Sequence, residues 1–398
     1  MVPAERQQFN KDFTQDKYQA LLGELDSKHP GAVEFRIAET PVFVDKAFTQ
    51  KMLDACERIV DVITQPNFKA LTKSATPAHL LVPGETKHTH FIAFDFGICE
   101  NEAGELEPQL VEMQGFPSMF AFQVLLDEAV RNHFTIPAGY SAYLNGYTRD
   151  SYLKLLKNII IGEHDPENVI LLELFPHKQK TRIDFYCTED YLGIQTVCLT
   201  ELVKKGDNLF YVKNGRMVAI KRIYNRIIFD ELLQQEESVQ EKGEILFEEL
   251  HVEWVPHPDW FYRISKYTLP FIKHPYVPAT TFLDEVQSLP ADLENYVLKP
   301  LFSFAGQGVI IDVTPEDIAQ VKDAHNWILQ RKVKYADVID TPGEPAKAEI
   351  RIFYFWKEGE ARPVATNNLA RLSKGKMIGT RYNKDKEWVG GSLAYFEQ

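Results

Sequence analysis

One stretch of the sequence, residues 296–311, constrains the chain more than any other. It reads YVLKPLFSFAGQGVII, an apolar run carrying Lys299, then a turn of small residues, then a second β-branched run. This pattern predicts two strands joined by a loop. Gly306 and Gly308 would let backbone N–H groups approach an anion closely, and Lys299 would add positive charge. The stretch therefore suggests a phosphate-binding loop, with an ordinary hairpin as the alternative.

Composition excludes several classes of protein. The 398 residues are 44% apolar, which is enough for a large core, and the length favours two or three lobes. No apolar run approaches the length of a membrane span, and no signal-peptide core follows Met1, so we expect a soluble, cytoplasmic protein without membrane contact. The net charge of −13 opposes binding to nucleic acid, which needs a basic surface.

The cysteines and histidines give little sign of a metal site. The four cysteines lie among apolar neighbours without a CxxC pair, which predicts buried thiols rather than disulfides or zinc ligands: Cys56, Cys99, Cys187 and Cys198. His88 and His90 form an HxH pair that could ligate a metal. Alternation at a strand end gives the same spacing, and no third ligand is evident nearby, so a structural role is expected.

Two apolar stretches early in the chain each contain an acidic residue. Residues 90–97 include Asp95 and residues 109–115 include Glu112, and both stretches are expected to be paired strands. An unpaired carboxylate is costly to bury. Metal coordination would satisfy these residues, and so would a salt bridge to a buried arginine; the pattern alone does not choose. An amphipathic helix is expected over about residues 119–131.

The middle of the chain changes character. From residue 168 the sequence alternates short strands and helices, and Asn214-Gly215 predicts a two-residue hairpin turn between residues 209 and 220. Prolines at 256, 258, 270, 275 and 278 then separate this small α/β lobe from the last third of the chain.

Polar residues in the last third recur in a suggestive order. Residues 327–333 form an apolar strand that turns polar, which suits a purine slot with backbone donors and acceptors. Residues 348–356 alternate so that Glu349 and Arg351 share one face, and residues 366–376 place Arg371 and Lys374 together. Each segment alone has an ordinary strand as its alternative.

In this order and spacing, the chain resembles the ATP-grasp ligases. More closely, it resembles the circularly permuted branch that includes eukaryotic-type glutathione synthetase and glutathionylspermidine synthetase. The residues that carry the resemblance are Lys266, Lys299, Gly306–Gly308, residues 329–333, Glu349–Arg351 and Asn368–Arg371. The permutation is indicated by Glu112-Met113-Gln114, which is similar to the branch's early E-x-N metal strand. The resemblance covers roughly residues 85–398.

The resemblance implies an α+β, circularly permuted ATP-grasp fold that holds a nucleotide between two α+β lobes, with an additional small α/β lobe. Residues 1–84 would be a mostly helical segment without assigned chemistry. Residues 85–165 would carry the metal strand, residues 166–262 the small substrate-side lobe, and residues 263–398 the nucleotide-binding and catalytic lobes.

It also implies an ATP-dependent ligase that joins a small-molecule carboxylate to an amine through an acyl phosphate. ATP would be bound by Lys266, Lys299, Ser303, Gly306, Gln307, Gly308, Gln330, Arg331 and Val333. Mg²⁺ would be bound by Asp95, Glu112, Gln114 and Glu349. Arg351, Arg371 and Lys374 would be catalytic, since arginine suits phosphoryl groups and carboxylates. The resemblance leaves a homodimer open.

The chain departs from the family pattern at three places, and the third of them, in the glycine loop, favours an alternative. Gln114 stands where the family has Asn, Ala93 stands where glutathione synthetases carry a substrate-contacting Arg, and Ser303 to Ala305 replace charged loop residues. The alternative is an ATP-binding sensor or partner-binding module without ligase turnover. Phosphorylation of a small molecule is a third interpretation that an ATP site alone does not exclude.

Overall fold

The computed structural model describes residues 1–302, 308–375, 378, 383 and 385–398, and its architecture is mixed α+β with several sheets. Its strands are β1 (Val42–Val44), β2 (Phe91–Glu100), β3 (Leu106–Gln114), β4 (Tyr140–Ser141), β5 (Val169–Glu173), β6 (Gln195–Cys198), β7 (Val203–Lys205), β8 (Asn208–Lys213), β9 (Arg216–Ile220), β10 (Arg222–Asn225), β11 (Glu253–Val255), β12 (Thr280–Phe282), β13 (Tyr296–Pro300), β14 (Ile310–Ile311), β15 (Trp327–Arg331), β16 (Lys347–Phe355), β17 (Val364–Ser373), β18 (Gly390–Ser392) and β19 (Ala394–Glu397).

The α-helices lie on and between these sheets. They are α1 (Pro3–Asp12), α2 (Gln15–Lys28), α3 (Lys46–Ile63), α4 (Phe68–Leu71), α5 (Phe122–His133), α6 (Arg149–Ile161), α7 (Arg182–Leu192), α8 (Phe229–Leu232), α9 (Glu237–Gly243), α10 (Asp259–Arg263) and α11 (Pro315–Ala319). Within the residues that the structure describes, no helix combines the length and apolar character needed to cross a membrane.

A five-stranded antiparallel sheet in the order β18-β17-β16-β2-β3 forms the centre of the fold. Strand β2 lies deep in the core of the protein, because every residue from Phe91 to Cys99 is buried. Helix α3 covers one face: Asp45 caps its first turn, and its apolar stripe, including Met52 and Ile59, packs into the same core as β2. The predicted pairing of the two acidic strands is confirmed as β2 with β3.

A second, four-stranded antiparallel sheet, β12-β15-β13-β14, contains the strands that flank the glycine stretch. Strands β13 and β14 pair with each other, as the sequence predicts. Tyr276, just before β12, accepts a hydrogen bond from the backbone of Leu110 in β3. The two sheets are therefore joined along one side, and they face each other across a cavity.

The middle of the chain forms a parallel sheet, β11-β10-β5-β6, and a small antiparallel sheet, β7-β8-β9. Asn214 and Gly215 form the turn between β8 and β9, with φ of 51° and 75°. A type I′ turn requires positive φ at both central residues, so the predicted hairpin is confirmed. Residues 182–192 form helix α7, which connects β5 to β6.

The N-terminal residues are bound to the end of the chain. Strand β1 pairs in parallel with β19, which also pairs with β4. The four cysteines are buried and unpaired, which confirms the predicted thiols. The ring of His88 stacks on Trp356 at 4.1 Å, and His90 contacts Glu358 at 3.1 Å. Both imidazoles serve packing here, and burial lowers the pKa of each.

Gly390, at the start of β18, is expected to tolerate no side chain. Its φ is +125°, and a Cβ atom there would overlap the carbonyl oxygen of Arg36. Replacing it with alanine (Gly390→Ala) should lower the free energy of unfolding by about 2 kcal/mol or more, because the strained backbone conformation and the steric overlap with Arg36 each destabilise the folded state. Urea denaturation measures the change. Gly23→Ala is the matched control, since Gly23 lies inside helix α2 with open space around it. This variant should be slightly more stable than the parent, because alanine favours the helix more than glycine does. Equal stability of the two variants would contradict the argument.

Candidate functional site

A cavity of about 380 Å³ lies between the five-stranded and four-stranded sheets. Its volume falls within the range of ligand sites in proteins. The apolar part of its described lining consists of Leu110, Val111, Val297, Val309, Ile311, Val333 and Ile378. The polar part consists of Asp95, Glu112, Lys266, Lys299, Gln330, Arg331, Lys332, Tyr335, Lys347, Glu349 and Arg371. Residues from nine separate stretches of the sequence thus meet in one site.

The charge of the cavity opposes that of the whole protein. Among the described lining residues six are basic and three are acidic, whereas the chain carries a net charge of −13. The three cations at the rim are balanced by acids: Arg331 contacts Asp292, Lys332 contacts Asp312 and Lys347 contacts Asp337. Lys266, Lys299 and Arg371 remain as the inner cations. Glu112 lies beside Lys266, and Asp95 and Glu349 lie beside Arg371, so Lys299 is the inner cation whose hydrogen-bond acceptors are neutral.

Lys299 occupies the buried side of the cavity. The side chain comes from β13 and donates hydrogen bonds to Oε1 of Gln330 at 2.6 Å and to the carbonyl oxygen of Val111 at 3.3 Å. The pKa of Lys299 is lowered to about 8, chiefly by burial and also by the charge of Lys266, against the opposing effects of Glu112 and Glu349. The ammonium is thus held between the two sheets by neutral acceptors.

Lys266 reaches the same cavity from a short 3₁₀ helix, Lys266–Phe271, whose first turn is capped by Ser265. Its Nζ lies 3.3 Å from Oε1 of Glu112 in β3 and 3.5 Å from the carbonyl oxygen of Leu301. The two lysines therefore flank Glu112 from different elements. Such a pair can hold adjacent phosphate groups, since each supplies a compact positive charge.

One face of the five-stranded sheet presents an alternating row of acids and bases. The register sets Asp95 opposite both Glu112 and Arg351, and sets Glu349 opposite Arg371. Arg351 binds Asp95 with two nitrogens, one of them at 2.6 Å, and Arg371 lies 2.7 Å from Asp95 and 2.9 Å from Glu349. The row exists because side chains two residues apart on a strand share a face.

The two carboxyl groups in this row differ in their acidity. Burial raises the pKa of Asp95, but Arg351 and Arg371 outweigh that effect and the net shift is downward. Burial also raises the pKa of Glu349, and there the opposing effect of Arg371 is too small to prevent a net rise. The hydroxyl of Tyr335 donates a hydrogen bond to Glu349. Asp95 is thus a firm counterion, and Glu349 is the less firmly ionised of the two.

The predicted metal ligands are arranged differently from a closed metal site. Asp95 forms salt bridges with two arginines, Arg351 and Arg371, and pairing with arginine is the alternative to a metal that its sequence pattern left open. Gln114 donates a hydrogen bond to the carbonyl oxygen of Phe116 and does not line the described cavity. In the described part of the chain, no group of three or more His, Cys, Asp or Glu side chains is arranged to hold a metal. Glu112 and Glu349 remain as cavity carboxylates.

The other predicted site residues fall into three groups. Lys266, Lys299, Gln330, Arg331, Val333 and Arg371 line the cavity. Arg351 and Lys374 are not in its described lining, and Lys374 donates a hydrogen bond to the carbonyl oxygen of Pro342 instead. Gly308, with φ of +70°, packs near Pro300. Ser303, Gly306 and Gln307 lie outside the described residues.

Tyr335 and Thr280 are among the residues at the site that were not predicted. Tyr335 lines the cavity and contacts Glu349, and Thr280 of β12 accepts a hydrogen bond from Gln330 at 2.9 Å. Neither lies in a motif, so only the fold reveals them. The contact of Gln330 with Lys299 was equally hidden, because the residues are 31 positions apart.

A second polar cluster lies where the parallel strands β5 and β10 end. Sheet order β11-β10-β5-β6 changes direction between these two strands, and ligands of open parallel sheets bind at such points. Burial raises the pKa of Glu173 to about 8 and that of Asp184 to about 6. Nε of buried Arg226 has no hydrogen-bond partner among the described residues.

Ser118 connects this cluster to the charged row on the central sheet. Its carbonyl oxygen accepts a hydrogen bond from Arg226 at 2.8 Å, and its hydroxyl accepts one from Arg351 at 3.2 Å. Arg351 in turn binds Asp95. A polar path therefore runs from the parallel sheet to the cavity.

The architecture described above is similar to a glutathione synthetase-like fold. The chain is similar to the structure of a glutathione synthetase-like effector from Globodera pallida, determined in its apo form, with a TM-score of 0.59 and 9% sequence identity. The similarity covers 97% of this chain and 98% of that one. At this identity it establishes the fold and nothing about activity. No protein-family model matches the chain, and no curated protein matches its sequence.

Proposed function

We propose that the protein is a permuted ATP-grasp enzyme that joins a carboxylate to an amine at the expense of ATP. The observation that carries this proposal is the single cavity that brings together Lys266, Lys299, residues 330–333, Glu112, Glu349 and Arg371. These residues come from separate stretches of the sequence, and the resemblance implies a role in the same phosphoryl-transfer chemistry for each of them. A fold that serves only packing has no need to gather lysines, an arginine and carboxylates around one cavity.

ATP would lie between the two sheets as a substrate. Lys266 and Lys299 would bind its phosphates, since they are the inner cations of the cavity. The adenine would lie against the apolar wall formed by Val297, Ile311 and Val333, next to backbone groups of residues 330–333. The volume of about 380 Å³ suits a nucleotide better than a larger ligand such as a folded peptide.

The cavity carboxylates fit Mg²⁺ only in company with phosphate oxygens. Mg²⁺ in nucleotide sites is commonly held by one or two carboxylates plus the substrate's phosphates, so a closed set of protein ligands is not required. Glu112 and Glu349 would supply these carboxylates. The metal would neutralise charge on the phosphates. Asp95 is not part of this set, because two arginines already bind it.

The reaction would proceed in two balanced steps. An oxygen of the substrate carboxylate attacks the γ-phosphorus of ATP, the bond to the bridging oxygen breaks, and ADP leaves. The amine then attacks the carbonyl carbon of the acyl phosphate, inorganic phosphate leaves, and the amine loses a proton. Arg371 would stabilise the charge that develops on the transferring group, which is the part that protein residues chiefly play in phosphoryl transfer.

The second polar cluster would hold part of the carboxylate substrate. Arg226 is 8% exposed and has an Nε without a described partner, and a carboxylate matches an arginine fork. Ser118 places this arginine next to Arg351 and hence near the reacting end.

A hydroxylamine trap tests the reaction even while the natural amine is unidentified. The protein is incubated with Mg²⁺, ATP, hydroxylamine and a panel of amino acids and short peptides. We expect ADP release that depends on the carboxylate, together with a hydroxamate formed from the acyl phosphate. Glu349→Gln is the matched variant, because it keeps the shape of the side chain and removes its charge. ADP release with a phosphorylated hydroxyl group and no hydroxamate would overturn the ligase and favour a kinase.

One observation favours a nucleotide-binding module without turnover as the second candidate. Asp95 engages both arginines of the charged row, so neither is free to stabilise a phosphoryl group until it moves. A protein that only senses ATP would have no need to release them. Stabilisation by Mg²⁺ and ATP, with no ADP release for any member of the panel, would support this candidate over the ligase.

A further inference from the structure

We propose that Gln330 is a positioning residue for Lys299, and that Thr280 sets the orientation of its amide. The side chain would hold the lysine ammonium in the cavity without cancelling its charge. This inference rests on the proposed nucleotide site and assigns the Gln330 side chain a role other than framing adenine. It names a remote residue, Thr280, that lines no part of the described cavity.

The register of the four-stranded sheet brings the three side chains together. Gln330 in β15 is paired with Thr280 in β12 on one side and with Val297 in β13 on the other. Lys299 lies two residues beyond Val297, so it shares a face with Gln330 as its diagonal neighbour, within reach of long side chains. Gln330 is 2% exposed, which fixes its side chain by packing.

A chain of three hydrogen bonds gives the amide one orientation. The hydroxyl of Thr280 donates to the carbonyl oxygen of Pro278 at 2.8 Å, so its oxygen is left as an acceptor. Nε2 of Gln330 donates to that oxygen at 2.9 Å. Oε1 of Gln330 must then point the other way, where it accepts from Nζ of Lys299 at 2.6 Å.

The neutrality of the amide matters for an anionic ligand. A carboxylate at this position would hold the ammonium equally well but would cancel its charge. The carbonyl oxygen of Val111 is the second acceptor, also neutral. Among the described residues these two acceptors account for two of the three N–H groups of Lys299, which leaves one for a phosphate oxygen. The arrangement thus fixes the ammonium through neutral acceptors and adds no carboxylate as a direct partner.

Binding of two ligands that differ in their phosphates tests the proposal. Mg²⁺ with a non-hydrolysable ATP analogue and, separately, adenosine are titrated calorimetrically into the full chain and its variants. Gln330→Met should weaken binding of the analogue about tenfold, the typical loss for one hydrogen bond to a charged group, and leave adenosine unchanged. Gln330→Glu should weaken the analogue by about tenfold or more, because its carboxylate competes with phosphate.

Thr280→Val provides a mild variant that keeps the shape of the side chain. It should weaken the analogue in the same direction, since it frees the amide to rotate. Thr281→Val is the matched control, because Thr281 is exposed on the opposite face of β12 and should change nothing. In a Lys299→Met background, Gln330→Met should have no further effect, because its target has been removed.

The outcomes separate this inference from the proposed function. Loss of analogue binding by Gln330→Met that persists in the Lys299→Met background, or equal loss for adenosine, would overturn the positioning role alone. Failure of the parent protein to bind the analogue, or full binding by Lys299→Met, would overturn the nucleotide site and this inference with it. The inference is supported if Gln330→Met weakens binding of the ATP analogue but not of adenosine, and does so only in the protein that retains Lys299.

Discussion

Lys299→Met is expected to remove most of the stabilisation of the protein by Mg²⁺ and ATP. Ligand that binds only the folded state stabilises it by about 2.7 kcal/mol at a hundredfold excess over its dissociation constant. Lys299 is buried, is held by Gln330 and Val111, and is one of the three inner cations of the cavity. Its loss should weaken nucleotide binding on the order of a hundredfold, which leaves about 0.4 kcal/mol of stabilisation at the same ligand concentration and so removes most of the shift in thermal unfolding.

Lys332→Met is the matched control for this experiment. Lys332 lines the rim of the same cavity, but its ammonium already contacts Asp312. The nucleotide should still stabilise this variant nearly as well as the parent. An equal loss in both variants would mean that any positive charge near the cavity suffices, and the assignment to Lys299 would be wrong.

The pH dependence of stability gives a second readout for Lys299. The pKa of its ammonium is about 8 in the folded protein, against a usual value of 10.5. Between these values the unfolded chain holds a proton that the folded chain has lost, so the stability of the parent relative to Lys299→Met should rise with pH in this window. Below pH 8 both states carry the proton, and the difference between the two proteins should be constant.

Much of the framework could be predicted from the sequence because its signals are local. The Asn214-Gly215 turn, the pairing of β2 with β3 and the strands around the glycine stretch each follow from patterns within about 25 residues. The gathering of Lys266, Lys299, Glu112 and Glu349 in one cavity was suggested by resemblance rather than by spacing. Such long-range placement is decided by how sheets pack.

The partners of the polar residues could not be predicted. A buried acid in a strand needs a partner, yet the sequence does not say whether Asp95 contacts a metal or an arginine. The register of β2 with β16 places Arg351 opposite Asp95, and the two form a salt bridge. The side chain of Gln330 is another example, because its contact with Lys299 depends on a diagonal between two strands. These contacts are set by the register of the strands. A shift of one residue would move every side chain of the shifted strand to the opposite face of the sheet.

Arg371→Met is expected to give the largest loss of stability among the site variants. Arg371 joins Asp95 to Glu349, and the side chain of Glu349 is 8% exposed. Without the arginine, Glu349 keeps the hydrogen bond from Tyr335 as its one hydrogen bond among the described residues, whereas Asp95 keeps Arg351. Leaving one buried charge without its partner costs several kcal/mol. The cavity gives the site some access to water, so we expect about 3 kcal/mol, at the lower end of that range.

The double variant Arg371→Met with Glu349→Gln decides whether charge is the cause. If the loss arises from an uncompensated carboxylate, removal of that charge should restore most of the free energy of unfolding measured in urea. The deficit of Arg371→Met should also shrink as pH falls, because protonation of Glu349, whose pKa is already raised by burial, removes the same charge. A deficit that is unchanged by Glu349→Gln and by acid would show that Arg371 stabilises the sheet through packing of its side chain, and the charged row would not be an electrostatic unit.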